Sequence, residues 1–137
     1  MKKILLDTNV VLDLLAKREP FYMDAALLFS HADQKKIVLT INALTFAKLN
    51  YILGKLKSVA EAREILSRFR VLVNILPLNE KIIDLALADR KFKDFEDALQ
   101  YYSALDQRLD IIITRDMKGF KPSRIAVMTP ETFLKSN

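Results

Sequence analysis

Short apolar runs and longer stretches of helical periodicity alternate along this chain. Ile4 to Leu6 is apolar on both faces, as a central parallel strand would be. Thr8 to Ala16 follows with Val10, Val11, Leu14 and Leu15 at helical spacing. Arg18-Glu19-Pro20 breaks that helix, and Pro20 suits the first turn of the next one, which runs to about Gln34. Lys36 to Ile41 reads as a second strand, and Asn42 caps a helix that stops near Gly54. Ser58 with Glu61 forms a capping box for another helix. Val71 to Leu76 is a third strand, Asn79 caps a helix to about Arg90, and Asp94 caps one to about Gln107. Asp110 to Thr114 and Ile125 to Met128 complete the strands, and Thr129-Pro130 opens a short last helix. This alternation, with no repeat and no break in composition, predicts a single α/β domain over residues 1–137 with a mostly parallel sheet of about five strands.

Two of these strands end in a carboxylate. Lys3-Ile-Leu-Leu runs into Asp7, and Ile111-Ile-Ile-Thr114-Arg115 runs into Asp116. In an open parallel sheet the carboxyl ends of the strands face the crevice where ligands bind. Asp97, in the first turn of the helix capped by Asp94, is a third candidate. Any one of these acids could be a turn, a cap or a partner of a helix dipole. Together they point to a hard-oxygen site of the kind that takes Mg²⁺ or Mn²⁺. Asn9, two residues beyond Asp7, and Thr114, two before Asp116, are placed to orient a carboxylate or a water. Asp13 lies about one and a half turns along its helix, which predicts a solvated residue facing away from Asp7. Asp84, Asp89, Asp106 and Asp110 read as surface or cap positions.

Composition narrows the chemistry further. The 137 residues carry 22 Lys plus Arg against 17 Asp plus Glu, a net charge of +5, which makes a polyanionic partner plausible beside an acidic pocket. There is no cysteine, which removes disulfides, thiolate metal sites and cysteine nucleophiles. The one histidine, His31, lies in a helical stretch, so a multi-histidine zinc site is excluded. Two glycines cannot supply a glycine-rich dinucleotide loop. An aspartyl-phosphate enzyme would carry a second Asp at the position of Asn9. No apolar run approaches the roughly 20 residues that span a bilayer, and Met1-Lys-Lys leads into only three apolar residues. A cytoplasmic protein without membrane contact is the expectation.

Leu6-Asp7-Thr8-Asn9-Val10, Glu96-Asp97-Ala98-Leu99 and Thr114-Arg115-Asp116 together resemble the PIN-domain family, in order and spacing, over essentially the whole chain. That resemblance implies a three-layer α/β/α sandwich, Rossmann-like in outline. It implies Mg²⁺- or Mn²⁺-dependent cleavage of RNA, and small members look like VapC toxins, often dimeric and inhibited by a cognate antitoxin. Asp7, Asp97 and Asp116 fall on the family's metal-site acids, with Glu96 as a candidate fourth. Asn9 and Thr114 fall on its supporting polar positions. On the same reading Lys48, Arg115, Lys118 and Lys121 border the pocket and are candidates to hold RNA phosphates.

Two positions depart from the family. Lys48 stands where a Glu is usual, in Ala43-Leu44-Thr45-Phe46-Ala47-Lys48, and its ammonium could pair with Asp7 or Asp97. Gly119 stands before Phe120 where many members carry another acid. Lys48 keeps a second reading open, a degenerate PIN domain that binds RNA or a protein without cutting.

Overall fold

The computed structural model describes residues 1–136. Five parallel strands, β1 (Lys2–Leu6), β2 (Ile37–Asn42), β3 (Asn74–Leu76), β4 (Ile111–Ile113) and β5 (Ala126–Met128), form one sheet in the order β3-β2-β1-β4-β5. The chain builds outward from β1 to β3 on one side, then returns to lay β4 against the other flank of β1. Ile4, Leu5 and Leu6 pair with Ile111, Ile112 and Ile113 there. The strand order reverses between β1 and β4, and the crevice beyond their carboxyl ends is where an open α/β sheet binds ligands.

Seven helices cover the two faces: α1 (Thr8–Leu15), α2 (Tyr22–Asp33), α3 (Ala43–Leu56), α4 (Val59–Phe69), α5 (Glu80–Ala88), α6 (Phe95–Asp106) and α7 (Pro130–Ser136). Residues of a strand alternate between faces. Ile4, Leu6, Leu39, Ile41, Ile111 and Ile113 therefore pack against α1 to α4 and α7. Leu5, Leu76 and Ile112 point the other way, onto α5 and α6. Ile4, Leu5 and Leu6 are all fully buried, as the unbroken apolar run of β1 required. The result is the parallel α/β domain that the alternation of elements predicted, with the three-layer α/β/α arrangement that the PIN resemblance implied.

The departures are local. Arg70–Leu72 forms a 3₁₀ turn, so β3 begins at Asn74 rather than near Val71. Val71 is exposed and Leu72 marginally so. Gly54 lies inside α3 rather than ending it, and a side chain there would meet open space. Helix α3 continues because Lys55 and Leu56 are good helix formers, which offsets the modest cost of one glycine. No helix of the described residues is long and apolar enough to cross a membrane.

Candidate active site

Asp7 ends β1 and caps α1 at once. Its amide donates to the Ile113 carbonyl of β4 (3.0 Å), and its carboxylate Oδ1 accepts from the Thr8 amide (2.8 Å). Three side chains complete its shell. Gln100 Nε2 donates to Oδ1 (2.9 Å), the Thr114 hydroxyl donates to Oδ2 (2.7 Å), and Asn9 Nδ2 reaches Oδ2 at 3.4 Å. Asp7 is 8% exposed and so leans on these donors rather than on water, as a buried carboxylate must.

Asp116 is tied to the same shell. Its amide donates to the Thr114 oxygen (2.9 Å), so one fully buried hydroxyl links the two strand-end acids. Asn9 joins in through its Oδ1, which accepts from the Arg115 amide (3.4 Å). Asp94 caps α6 by accepting from the Glu96 and Asp97 amides (2.8 and 3.3 Å), and this sets Asp97 in the first turn, facing the sheet edge.

The Asp97 and Asp116 carboxylates converge over Gly119. A Cβ at Gly119 would overlap Oδ2 of Asp97 and stand 3.0 Å from Oδ2 of Asp116. The glycine here is a matter of space, not of backbone freedom, since no glycine of the chain has a positive φ. Replacing Gly119 by Ala is expected to push Asp97 aside and weaken Mn²⁺ affinity by about ten- to a hundredfold, the range seen when the surroundings of a metal ligand are disturbed. Isothermal titration calorimetry with MnCl₂ measures it, and unchanged affinity would contradict the cradle.

Burial, then the charges of Asp7, Asp94, Asp116 and Glu96, push the Asp97 carboxyl up to about 7. An acid with a folded-state pKa above its ordinary 3.8 binds more protons folded than unfolded between those values. Its contribution to stability is therefore fully present below the lower value and is lost as pH rises through about 7. Metal-free protein should melt at a higher temperature at pH 5 than at pH 8. Asp97→Asn should flatten that dependence, and a thermal melt series across pH in EDTA reads both.

A divalent cation fits this donor set. The groups are hard oxygens, two of them share a cradle that only glycine leaves open, and the charge they crowd together is of the sign a cation relieves. Among the described residues no three acidic or imidazole groups already stand at ligand spacing. The converged part of the centre is the Asp97–Asp116 pair, with Asp7 held beside it.

Other sequence candidates sit differently. Lys48 pairs with Glu96 rather than with Asp7 or Asp97, and both partners are half-exposed. This corrects the expected pairing of Lys48 and engages Glu96 away from the centre. Arg115 does not stand free at the rim. Its guanidinium grips Asp13 in a bidentate pair (2.7 and 3.1 Å) and stacks on Phe21 at 3.8 Å. Asp13 is 1% exposed, not solvated, and also accepts from Arg18 (3.1 Å). The segment that covers it is more than a hundred residues distant in sequence. Lys118 and Lys121 do line the open cleft, of about 770 Å³, that holds Asp97 and Asp116.

Gln100 was missed. It lies three residues after Asp97 on α6, is 5% exposed, and spends its amide on Asp7, while its Oε1 has no partner among the described residues. The i, i+3 spacing from Asp97 was the available signal.

A family model described as PIN domain matches residues 3–118. Ribonuclease VapC1 of Aquifex aeolicus is 27% identical over 139 aligned positions, which cover 96% of this chain and 93% of that protein. Among solved structures, a toxin–antitoxin complex from Klebsiella pneumoniae has a chain with a TM-score of 0.70 and 25% identity, covering 93% of this chain and 97% of its own. VapBC-1 from nontypeable Haemophilus influenzae gives 0.72 at 18% identity, over 94% and 98%.

Proposed function

The chain belongs to the PIN-domain family, and from that premise we propose that it is a metal-dependent ribonuclease of the VapC kind, held in check by a cognate antitoxin. The observation that carries the reading is the convergence of the Asp97 and Asp116 carboxylates over Gly119 beside the β1/β4 switch point, with Asp7 near enough to act on the charge of Asp97. The likeness to ribonuclease VapC1 supports RNA as substrate. The structural likeness to toxin–antitoxin complexes supports the partner.

Asp97 and Asp116 would hold Mg²⁺ or Mn²⁺, with Asp7 as the third acid. An ion bound there supplies an acidified water and positive charge for a transferring phosphoryl group. The chain's own residues do the remaining work. Thr8, Gln100, Thr114 and Asn9 donate to Asp7 and leave it little rotational freedom, so the centre is preorganised rather than assembled on binding. Asp97, pushed up to about 7, can hold a proton at its carboxyl near neutrality and give it up when a cation arrives. Lys118 and Lys121 line the same cleft and offer ammonium groups to RNA phosphates.

The non-cutting reading drew on a lysine placed among the acids. Lys48 is engaged by Glu96 instead, and no lysine is paired with Asp97 or Asp116, which line the cleft, among the described residues. Incubation of the purified chain with total RNA in Mn²⁺, with an EDTA control, tests the proposal. Cleavage that needs the ion and stops with EDTA is the expected result. Intact RNA under both conditions would favour the binding module.

A further inference from the structure

The cations around the acidic centre are unevenly engaged. On the α1 and α3 sides they are taken up: Arg115 and Arg18 by Asp13, and Lys48 by Glu96. On the α5–α6 side they are not. Lys91 and Lys93, from the loop before α6, and Lys118 and Lys121, around the 3₁₀ turn Met117–Phe120, are exposed and line the cleft that contains Asp97 and Asp116. None of the four is in an ion pair among the described residues.

The basic surface continues past the cleft. Lys91 and Pro122 line both this cleft and a neighbouring cavity of about 390 Å³, whose other walls include Tyr102 and Arg124. Arg124 is exposed, and its backbone amide rests on the Tyr101 hydroxyl (3.4 Å). Exposed cations therefore extend from the Asp97–Asp116 pair to Arg124, with the Asp89 carboxylate, on which Lys91 acts, among them, whereas Arg18, Arg115 and Lys48 on the other sides are held in ion pairs.

We propose that this line, Lys93, Lys118, Lys121, Lys91 and Arg124, is the phosphate track for single-stranded RNA, and that the strand is gripped on this side of the acids only. Lysines on two loop segments beside an exposed acidic centre suit a polyanion, because point charges follow a phosphate without demanding one geometry. Cations already in close pairs gain little from a phosphate, since binding it would mean giving up the carboxylate. The one-sided grip rests on the ribonuclease reading for its ligand, but it can be tested without cleavage.

Fluorescence anisotropy with a labelled oligouridylate in EDTA, across a salt series, is the measurement. The variants are Lys91→Gln/Lys93→Gln and Lys118→Gln/Lys121→Gln. Lys2→Gln/Lys3→Gln, at the far end of β1, matches their charge change, and Lys48→Gln probes the opposite rim. Each cleft pair should lower the slope of log K against log salt by about 1.4, at about 0.7 for each phosphate contact on a single strand. Both controls should bind as the wild type does. Cleft variants that bind like the wild type, or controls that lose as much, would overturn the track, as would a wild type that does not bind. Ion-dependent cleavage by the wild type in a separate assay reports on the nuclease reading alone, so either idea can fail while the other stands.

Discussion

Asp7→Asn is expected to lower Mn²⁺-supported RNA cleavage by about a thousandfold or more, the scale on which removal of a preorganised charge-stabilising group acts. The fold should survive. Asparagine Oδ1 can keep the bonds from the Thr8 amide and Gln100, while its Nδ2 replaces the oxygen that accepted from Thr114 and Asn9. The Thr114 hydroxyl can turn to accept instead. A second readout separates loss of charge from loss of structure. Asp7 is the largest charge acting on Asp97, after burial, so the variant should bring the Asp97 titration below about 7. Carboxyl-detected NMR follows it. Undiminished cleavage in this variant would remove the proposed site.

Arg115→Ala is expected to cost about 2–3 kcal/mol of folding stability, without direct loss of a metal ligand. The substitution leaves a carboxylate at 1% exposure with Arg18 as its remaining cation, and stripping one partner from a buried ion pair typically costs about 3–5 kcal/mol. Arg18 holds part of that charge, so the cost falls at or below the bottom of that range. Arg18→Ala should cost less than half as much, because its side chain is 41% exposed and makes one contact with Asp13 rather than two. Urea unfolding of both variants measures the difference. Equal losses would mean that the bidentate grip of Arg115 adds nothing.

Asp13 also marks where reading along the chain stops. Helical spacing made it a solvated residue, and the structure buries it. What it could not give was the cover, because Arg115 and Phe21 come from other parts of the chain. The strand-end acids were legible for the opposite reason. An apolar triplet followed by an acid fixes both the burial of the strand and the place of the carboxylate, and β1 and β4 are neighbours in the sheet. The α6 acids were legible through the cap at Asp94. Gln100 looked like any polar residue on a helix, since an amide carries no charge to draw attention. Lys48 pairs with Glu96 rather than with Asp7 or Asp97, a choice of partner that spacing along the chain does not decide. Val71 and Leu72 have strand propensity, but the chain takes a 3₁₀ turn there and pairs with β2 only from Asn74.

The Thr114 hydroxyl, donating to Asp7 and accepting from the Asp116 amide, has a kinetic meaning as well. The Asp7 amide is itself held by Ile113, so any opening between β1 and β4 breaks the ladder and the acid shell in one event. Sub-global fluctuations at this edge are thereby forced to be rare or to be inactivating, with nothing between. Hydrogen exchange at the Asp7 amide becomes a direct clock for the lifetime of the competent centre. A partner that clamps this edge would slow that clock even if it never touched a carboxylate.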